Sequence, residues 1–484
     1  MISSAVRDES NGSSAAFPIF KTSQLDYASL ITHLSSPPHF PISHAFRNQL
    51  VAHYETADRH EQDAVADADP WQTLLDSFPR CTICAAGDVP LEVRSDRAKE
   101  EDHSDASSAP GVWGIIFTYF RPTFQSLSTH IWISTEAALY ETNQDTFEAR
   151  PSAMRPQVVR DSAPLVKFLL LDLQREAVEK LQALRGDQGR RVTLGAVEQE
   201  WANLLCSWLG QVDVETLALR AANKTQDNAE AIRSVPEPAS RISPTFASGW
   251  NISWANPCAS VHLPVKPDAE LLAAGQGAEE GEGGKVIQRG RWSVRSLISD
   301  KETKLVQKSN KLPFSLDYVE SRKHLSIIIR DALEDANPSD DLTGVNLESY
   351  PTDRRKGNAA GWVYAHDQLS LGSLHVTSPY RRLRSADASL AESESSVGRL
   401  LVHAMGLKLH RAIMHALARS GALQRLEEKA HVKNAKGPYD DFAPTVGDTE
   451  LTAGALGFFE RCGFKHFRNP VWLGLEMSAE GAPP

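Results

Sequence analysis

With 484 residues, 41% of them hydrophobic, and a formal net charge of −11, the chain is long enough for two domains and reads as a globular protein. Neither half carries a basic excess, so no nucleic-acid partner is expected. No apolar run is long enough to span a membrane, and none is expected to bind one. Five scattered cysteines give no disulfide framework and fit a reducing, cytoplasmic setting. Cys81 and Cys84 form a lone CxxC without a second pair or paired histidines, so no metal is expected.

Residues 1–16 carry acidic groups and no apolar core, which reads as a disordered lead and not a secretory signal. An N-terminal α/β domain is expected over 17–274. Short helical patterns flank the turn SSPPHFPISH, and RCTICAAG reads as a strand. GVWGIIFTYF and STHIWIS read as two more strands. Apolar residues at helical spacing predict helices over Ala163–Leu184 and Val197–Leu219, with Trp201 and Trp208 as core residues. GWNISWANPCASVHLPV reads as a strand hairpin. The Gly/Glu-rich stretch 275–288 reads as a linker.

A second domain is expected over 289–477, followed by a tail over 478–484. Its order is a strand at RWSVRS, two helices, a strand ending in SIIIRD, a strand at AAGWVYAH and a strand at LSLGSLHV. The turn TSPYRR follows, and Val397, Leu400, Leu401, Ala404 and Leu407 open a long helix. A basic turn leading to a helix with Gly398 in its first turn suits a phosphate. Three polar insertions are read here: NPSDDLTGVNLESYPTDRRKGN, RSADASLAESESS and NAKGPYDDFAPTVGDTE. The second, over Arg384–Ser395, is expected to loop away. A last helix, ALGFFER, stops at Gly463 and leads into a strand pair ending in VWLGLEM.

LGSLHVTSPYRR and ALGFFERCGF together resemble the Gcn5-related N-acetyltransferase (GNAT) superfamily, closest to its glycine N-acyltransferase-like and FR47-like branch. They resemble that branch's signatures L-H-V-x-P-x-Y-R-R-x-G-x-G and A-x-x-F-Y-x-x-x-G-F. The resemblance covers Arg291 to Met477. The residues before it resemble the branch's N-terminal half more weakly. GVWGIIFTYF against AAGWVYAH leaves open two similar halves, as in tandem acetyltransferases. The implied fold class is α/β (α+β): a GNAT-like mixed central sheet flanked by helices, preceded by a second α/β domain.

The implied activity is acyl transfer from acetyl-CoA, or another acyl-CoA, to a small amine or amino acid. A retained fold serving as an acyl-CoA-binding or protein-interaction module is the alternative. The resemblance places the thioester beside Leu374, His375 and Val376, and the pyrophosphate at Arg381, Arg382, Val397, Gly398 and Arg399. Glu348, Tyr350, Asp367 and His375 lie on or beside the strands that would line the acceptor groove. His375 and Asp367 are the candidate bases, with a sheet-face packing role as the plainer reading of His375. Three departures stand out. Gly398 follows Arg382 by sixteen residues, where the family has a short turn. Ser396 stands where an earlier glycine is usual. Phe459 replaces the tyrosine whose hydroxyl would protonate the leaving thiolate. Replacing Gly398 with valine is expected to weaken acetyl-CoA binding with folding intact.

Overall fold

The computed structural model describes residues between 17 and 477, apart from 53–81, 96–110, 175–190, 219–249, 264–285, 332–349, 382–396, 433–444 and shorter gaps of one to four residues. The lead over 1–16, Cys81, Asp367, Arg382 and the insert at Arg384–Ser395 lie outside the described residues.

The N-terminal half opens with strand β1 (Ile19–Lys21), helix α1 (Tyr27–Leu34) and helix α2 (residues 45–52). Asp26 caps α1 by accepting from Ser29 N–H. Strands β2 (Thr82–Gly87), β3 (Trp113–Arg121) and β4 (Ser126–Ile133) then form an antiparallel run with β1. A small hairpin of β5 (Tyr140–Asn143) and β6 (Glu148–Pro151) precedes α3 (Arg155–Lys167), which continues as a π-helical turn to Leu173. Strand β7 (Arg191–Glu198) returns parallel to β4, helix α4 (Gln199–Trp208) follows, and β8 (Trp250–Leu263) ends the half.

The second half repeats this order. Strands β9 (Val286–Arg289) and β10 (Trp292–Arg295) form a hairpin, so Val286–Gln288 are strand and not linker. Helices α5 (Asp300–Ser309) and α6 (Leu316–Ser321) lead to β11 (Ser326–Asp331), β12 (Ala359–Ala365) and β13 (Ser370–Val376), all antiparallel neighbours. Ser299 and Glu302 form a capping box at the start of α5. Helices α7 (Val397–Arg419) and α8 (Ala422–Val432) precede β14 (Thr445–Glu450), which runs parallel to β13. Helix α9 (Ala453–Arg461) and strands β15 (Lys465–Arg468) and β16 (Pro470–Met477) complete the chain. Gly463, at φ +91°, ends α9.

The expected mixed sheet flanked by helices is present, and among the described residues it is one sheet of fourteen strands running through both halves. β3 and β12 hold equivalent places, each antiparallel to a strand that pairs in parallel with the next. The last strands are exchanged. β8 pairs with β14 of the second half, β16 pairs with β7 of the first, and β8 and β16 pair with each other.

Within GWNISWANPCASVHLPV, Trp250–Leu263 is therefore one long strand and not a hairpin. Pro257 sits where β8 changes partner, from β16 to β14, which tolerates a residue without an N–H. TVGDTE, read as insertion, is β14. Its strand state comes from its two neighbours and not from its own alternation.

One core packs α1 and β2–β3 of the first half against α7 and β10–β13 of the second, with Leu30, Phe117, Ile329, Val363, Leu401 and Ile413 all buried. A second core lies on the other face of the first half and takes Val471, Leu473 and Leu475 from β16. A third joins α5 and α6 to Ile328, Trp362 and Tyr364. Every residue of β12 is buried, as a strand covered on both faces requires.

Candidate functional site

The site is built where β13 leaves β14. Parallel pairing covers only Ser370–Val446 and Leu371–Gly447, while β13 stays paired with β12 to Val376. Leu371 pairs with Ala365 but Leu374 with Val363, so an extra residue bulges at Gly372–Ser373. A Cβ on Gly372 would strike the Tyr364 carbonyl, which accounts for glycine there. The hairpin entering β13 holds Leu369 at φ +50°, a rare conformation for leucine, with its side chain buried in the core.

The bulge decides which atoms face the opening. Thr377 N–H donates to the Ala360 carbonyl on the β12 side (3.0 Å). Successive N–H groups alternate between strand edges, so Val376 and Leu374 turn theirs away from β12, toward the widening gap. Arg381 confirms the direction, since its Nε donates to the Val376 carbonyl at 2.6 Å.

Leu374 and Val376 send their side chains to the α7 face. There they are only partly buried, together with Leu400, Leu456, Phe458 and Phe459. Helix α9 has no buried residue among the described ones, although five of its side chains are apolar. A half-exposed apolar strip thus runs beside a backbone edge that has no strand partner among the described residues.

His375 lies on the opposite face, as the plainer reading allowed. Its ring stacks on Trp362 at 4.6 Å, and its Nε2 is 3.2 Å from the Tyr350 hydroxyl. Burial first, and the Arg381 charge second, push its pKa down to about 4, so the ring is neutral at pH 7. The Tyr350 oxygen accepts from Ser378 N–H (3.1 Å), and Tyr350 itself is exposed. The sequence left Tyr350 among several candidates; only the fold brings it to His375.

Val397, Gly398 and Arg399 form the first turn of α7, with Val397 and Gly398 buried. A Cβ on Gly398 would lie 3.1 Å from Phe458 Cε2 and 3.5 Å from Val376 Cγ2. A side chain there would press on the Phe458 ring of α9 and approach Val376 of β13. Arg399 lies close enough to His403 and Cys462 to influence both. Cys462 is buried, and burial pushes its thiol up to about 11, so it is not a thiolate. Phe459 is packed on Phe458 and Phe464.

The equivalent edge in the first half is closed. There β4 and β7 pair over four positions, Leu127–His130 with Val192–Gly195. Beyond them Ile133 N–H is capped by the buried Glu136 carboxyl at 3.1 Å, which also accepts from Trp201 Nε1. Arg468, from β15, donates to the Ala196 carbonyl at 3.4 Å and lies 3.6 Å from Glu136. The two halves share a strand order but differ at this edge.

No helix among the described residues is long and apolar enough to cross a membrane. No protein-family model matches the chain. No curated protein matches it in sequence. Among solved structures it is similar to a Drosophila protein from a structural genomics programme, at 12% identity and a TM-score of 0.38, covering 96% of this chain and 98% of that one. It is similar to a GCN5-related N-acetyltransferase from Sphaerobacter thermophilus, at 9% identity and a TM-score of 0.30, covering 95% of each chain. A tandem GNAT protein from the clavulanic acid biosynthesis pathway is similar at 10% identity and a TM-score of 0.28, covering 92% of this chain and 97% of that one. At these scores no activity passes from those proteins to this one.

Proposed function

We propose that the chain is an acyl-CoA-dependent N-acyltransferase of the GNAT type, using acetyl-CoA or another acyl-CoA to acylate a small amine or amino acid. The observation that carries this reading is the open edge of β13. Leu374 and Val376 point backbone N–H groups into a gap lined on one side by half-exposed apolar side chains. Such an edge fits a thioester: Leu374 N–H would donate to the carbonyl oxygen, and the apolar strip would hold the arm that carries it. A bound acyl-CoA supplies an activated carbonyl. Arg381 at the edge and the first turn of α7 would face its phosphates. On the other face, the proton lost by the amine would pass through the Tyr350 hydroxyl to Nε2 of neutral His375. The sparse cysteines favour a cytoplasmic setting.

Leu374→Pro tests this directly. It removes an N–H that faces the gap, without taking a ladder bond from β12. Thiol release from acetyl-CoA with a panel of small amines should fall on the order of a hundredfold, with the melting temperature showing that the variant is folded. Unchanged turnover in a folded variant would sink the reading. A second reading, an acyl-CoA-binding or protein-interaction module without turnover, draws on Phe459, which leaves α9 without a hydroxyl. Binding of acetyl-CoA without thiol release for any amine would favour it.

A further inference from the structure

At the strand edge the two halves can be matched residue by residue. Ile133 pairs with Gly114 across β3 and β4 as Val376 pairs with Gly361 across β12 and β13. The next residue closes each pair in the same way. Ser134 N–H donates to the Trp113 carbonyl at 2.8 Å, and Thr377 N–H to the Ala360 carbonyl at 3.0 Å. The covering helices match too, since a Cβ on Gly114 would strike Leu169 and one on Gly361 would strike Leu401. Ile133 N–H is therefore the counterpart of Val376 N–H, each turned away from its antiparallel neighbour.

In the first half that N–H is met from within the chain. From the end of β4 the sequence runs Ile133, Ser134, Thr135, Glu136, and Glu136 opens a short helical turn to Leu139. Its Oε1 accepts from Ile133 N–H at 3.1 Å and from Trp201 Nε1 at 3.2 Å, and its Oε2 lies 3.6 Å from Arg468. Glu136, Trp201 and Arg468 are all buried. Trp201 belongs to α4, which follows β7 as α9 follows β14. Helix α4 buries Trp201, Ala202, Leu205 and Cys206, whereas α9 buries none of its described residues.

At the matching positions the second half runs Val376, Thr377, Ser378, Pro379. A glutamate three residues on can reach back to a backbone N–H, as it does in a capping box, and a proline ring offers no acceptor. An oxygen that takes a backbone N–H at a strand edge is also what a bound carbonyl would present. We infer that the third residue beyond the last strand N–H decides which half takes the acyl-CoA: Glu136 fills the first edge with the chain's own carboxyl, Pro379 leaves the second open, and each chain binds one acyl-CoA. The identity of the ligand rests on the acyl-transfer reading; the filling of the β4 edge does not. Pro379 and Glu136 thereby act as positioning residues, neither of them touching the reacting atoms.

The test combines hydrogen exchange read at single amides with calorimetric titration of acetyl-CoA, both on the full chain. Without ligand, Ile133 should be protected about tenfold or more beyond Val376. Glu136→Gln keeps the oxygen and should keep that protection, and Glu136→Ala should lose it. Pro379→Gln plants an acceptor of the same reach in the second half, without a charge to repel the phosphates of the ligand. It should slow exchange at Val376 and weaken acetyl-CoA about tenfold, whereas Pro379→Ala should stay within about twofold of the parent. The parent should bind one acetyl-CoA per chain. Where Glu136→Ala does not fold, Pro379→Gln carries the test. Two acetyl-CoA per chain, protection of Ile133 that survives Glu136→Ala, or equal affinity in Pro379→Gln and Pro379→Ala overturns the inference, and the acyl-transfer reading survives each of these. Exchange at Ile133 and Val376 that follows the expected pattern, with no acetyl-CoA bound to any variant, would keep the positional rule and remove the acyl-transfer reading.

Discussion

Gly398 shows how one residue can carry two readings. At the start of a helix after a basic turn, it suggests close approach to a phosphate. In the fold, the space above it belongs to the Phe458 ring and Val376. Gly398→Val should therefore cost about 1–3 kcal/mol of stability through overpacking, against the expectation that folding stays intact. Chemical denaturation checks this, and an unchanged unfolding free energy would show that α9 yields easily.

Glu136 gives a residue-scale prediction of a different kind. Burial lifts its carboxyl to about 8, with Arg468 pulling the other way and Glu198 adding to the rise. A raised folded pKa means that the group's favourable contribution is complete below the unfolded carboxylate range and is lost as pH climbs toward 8. Melting temperature should fall across that window in the parent. Glu136→Gln keeps an oxygen for Ile133 N–H and Trp201 Nε1 while removing the titration, so its profile should be flatter. Parallel profiles would contradict the assignment.

At the scale of elements, most of the second half was legible. Apolar spacing from Val397 marked α7, and LSLGSLHV marked a buried strand between two others. Gly372 inside that strand was the available signal for the bulge, since glycine in a strand interior often marks one. What could not be read was set by partners distant in sequence. TVGDTE has no apolar face of its own and becomes a strand between β8 and β13. His375 and Tyr350 are 25 residues apart and meet only after β12 and β13 pair. Asp367 and Arg382 lie outside the described residues.

For the whole molecule, the exchanged strands make the halves interdependent. β16 fills the place between β7 and β8 and supplies Val471, Leu473 and Leu475 to the core of the first half. Residues 1–285 expressed alone should lack a cooperative melt by circular dichroism, and mixing with 286–484 should restore it. A cooperative melt of the isolated first half would show that it closes its sheet without β16.

The central claim is that β13 presents Leu374 and Val376 N–H groups to an acyl-CoA. Hydrogen–deuterium exchange of the full chain with and without acetyl-CoA tests it most directly, because these amides turn away from β12 and have no strand partner among the described residues. The account predicts slower exchange in the peptides covering 369–381 and the first turns of α7 on adding acetyl-CoA, with the β4 edge near Ile133 unchanged. Protection at the β4 edge, or none at β13 under conditions where acetyl-CoA binds, would contradict it.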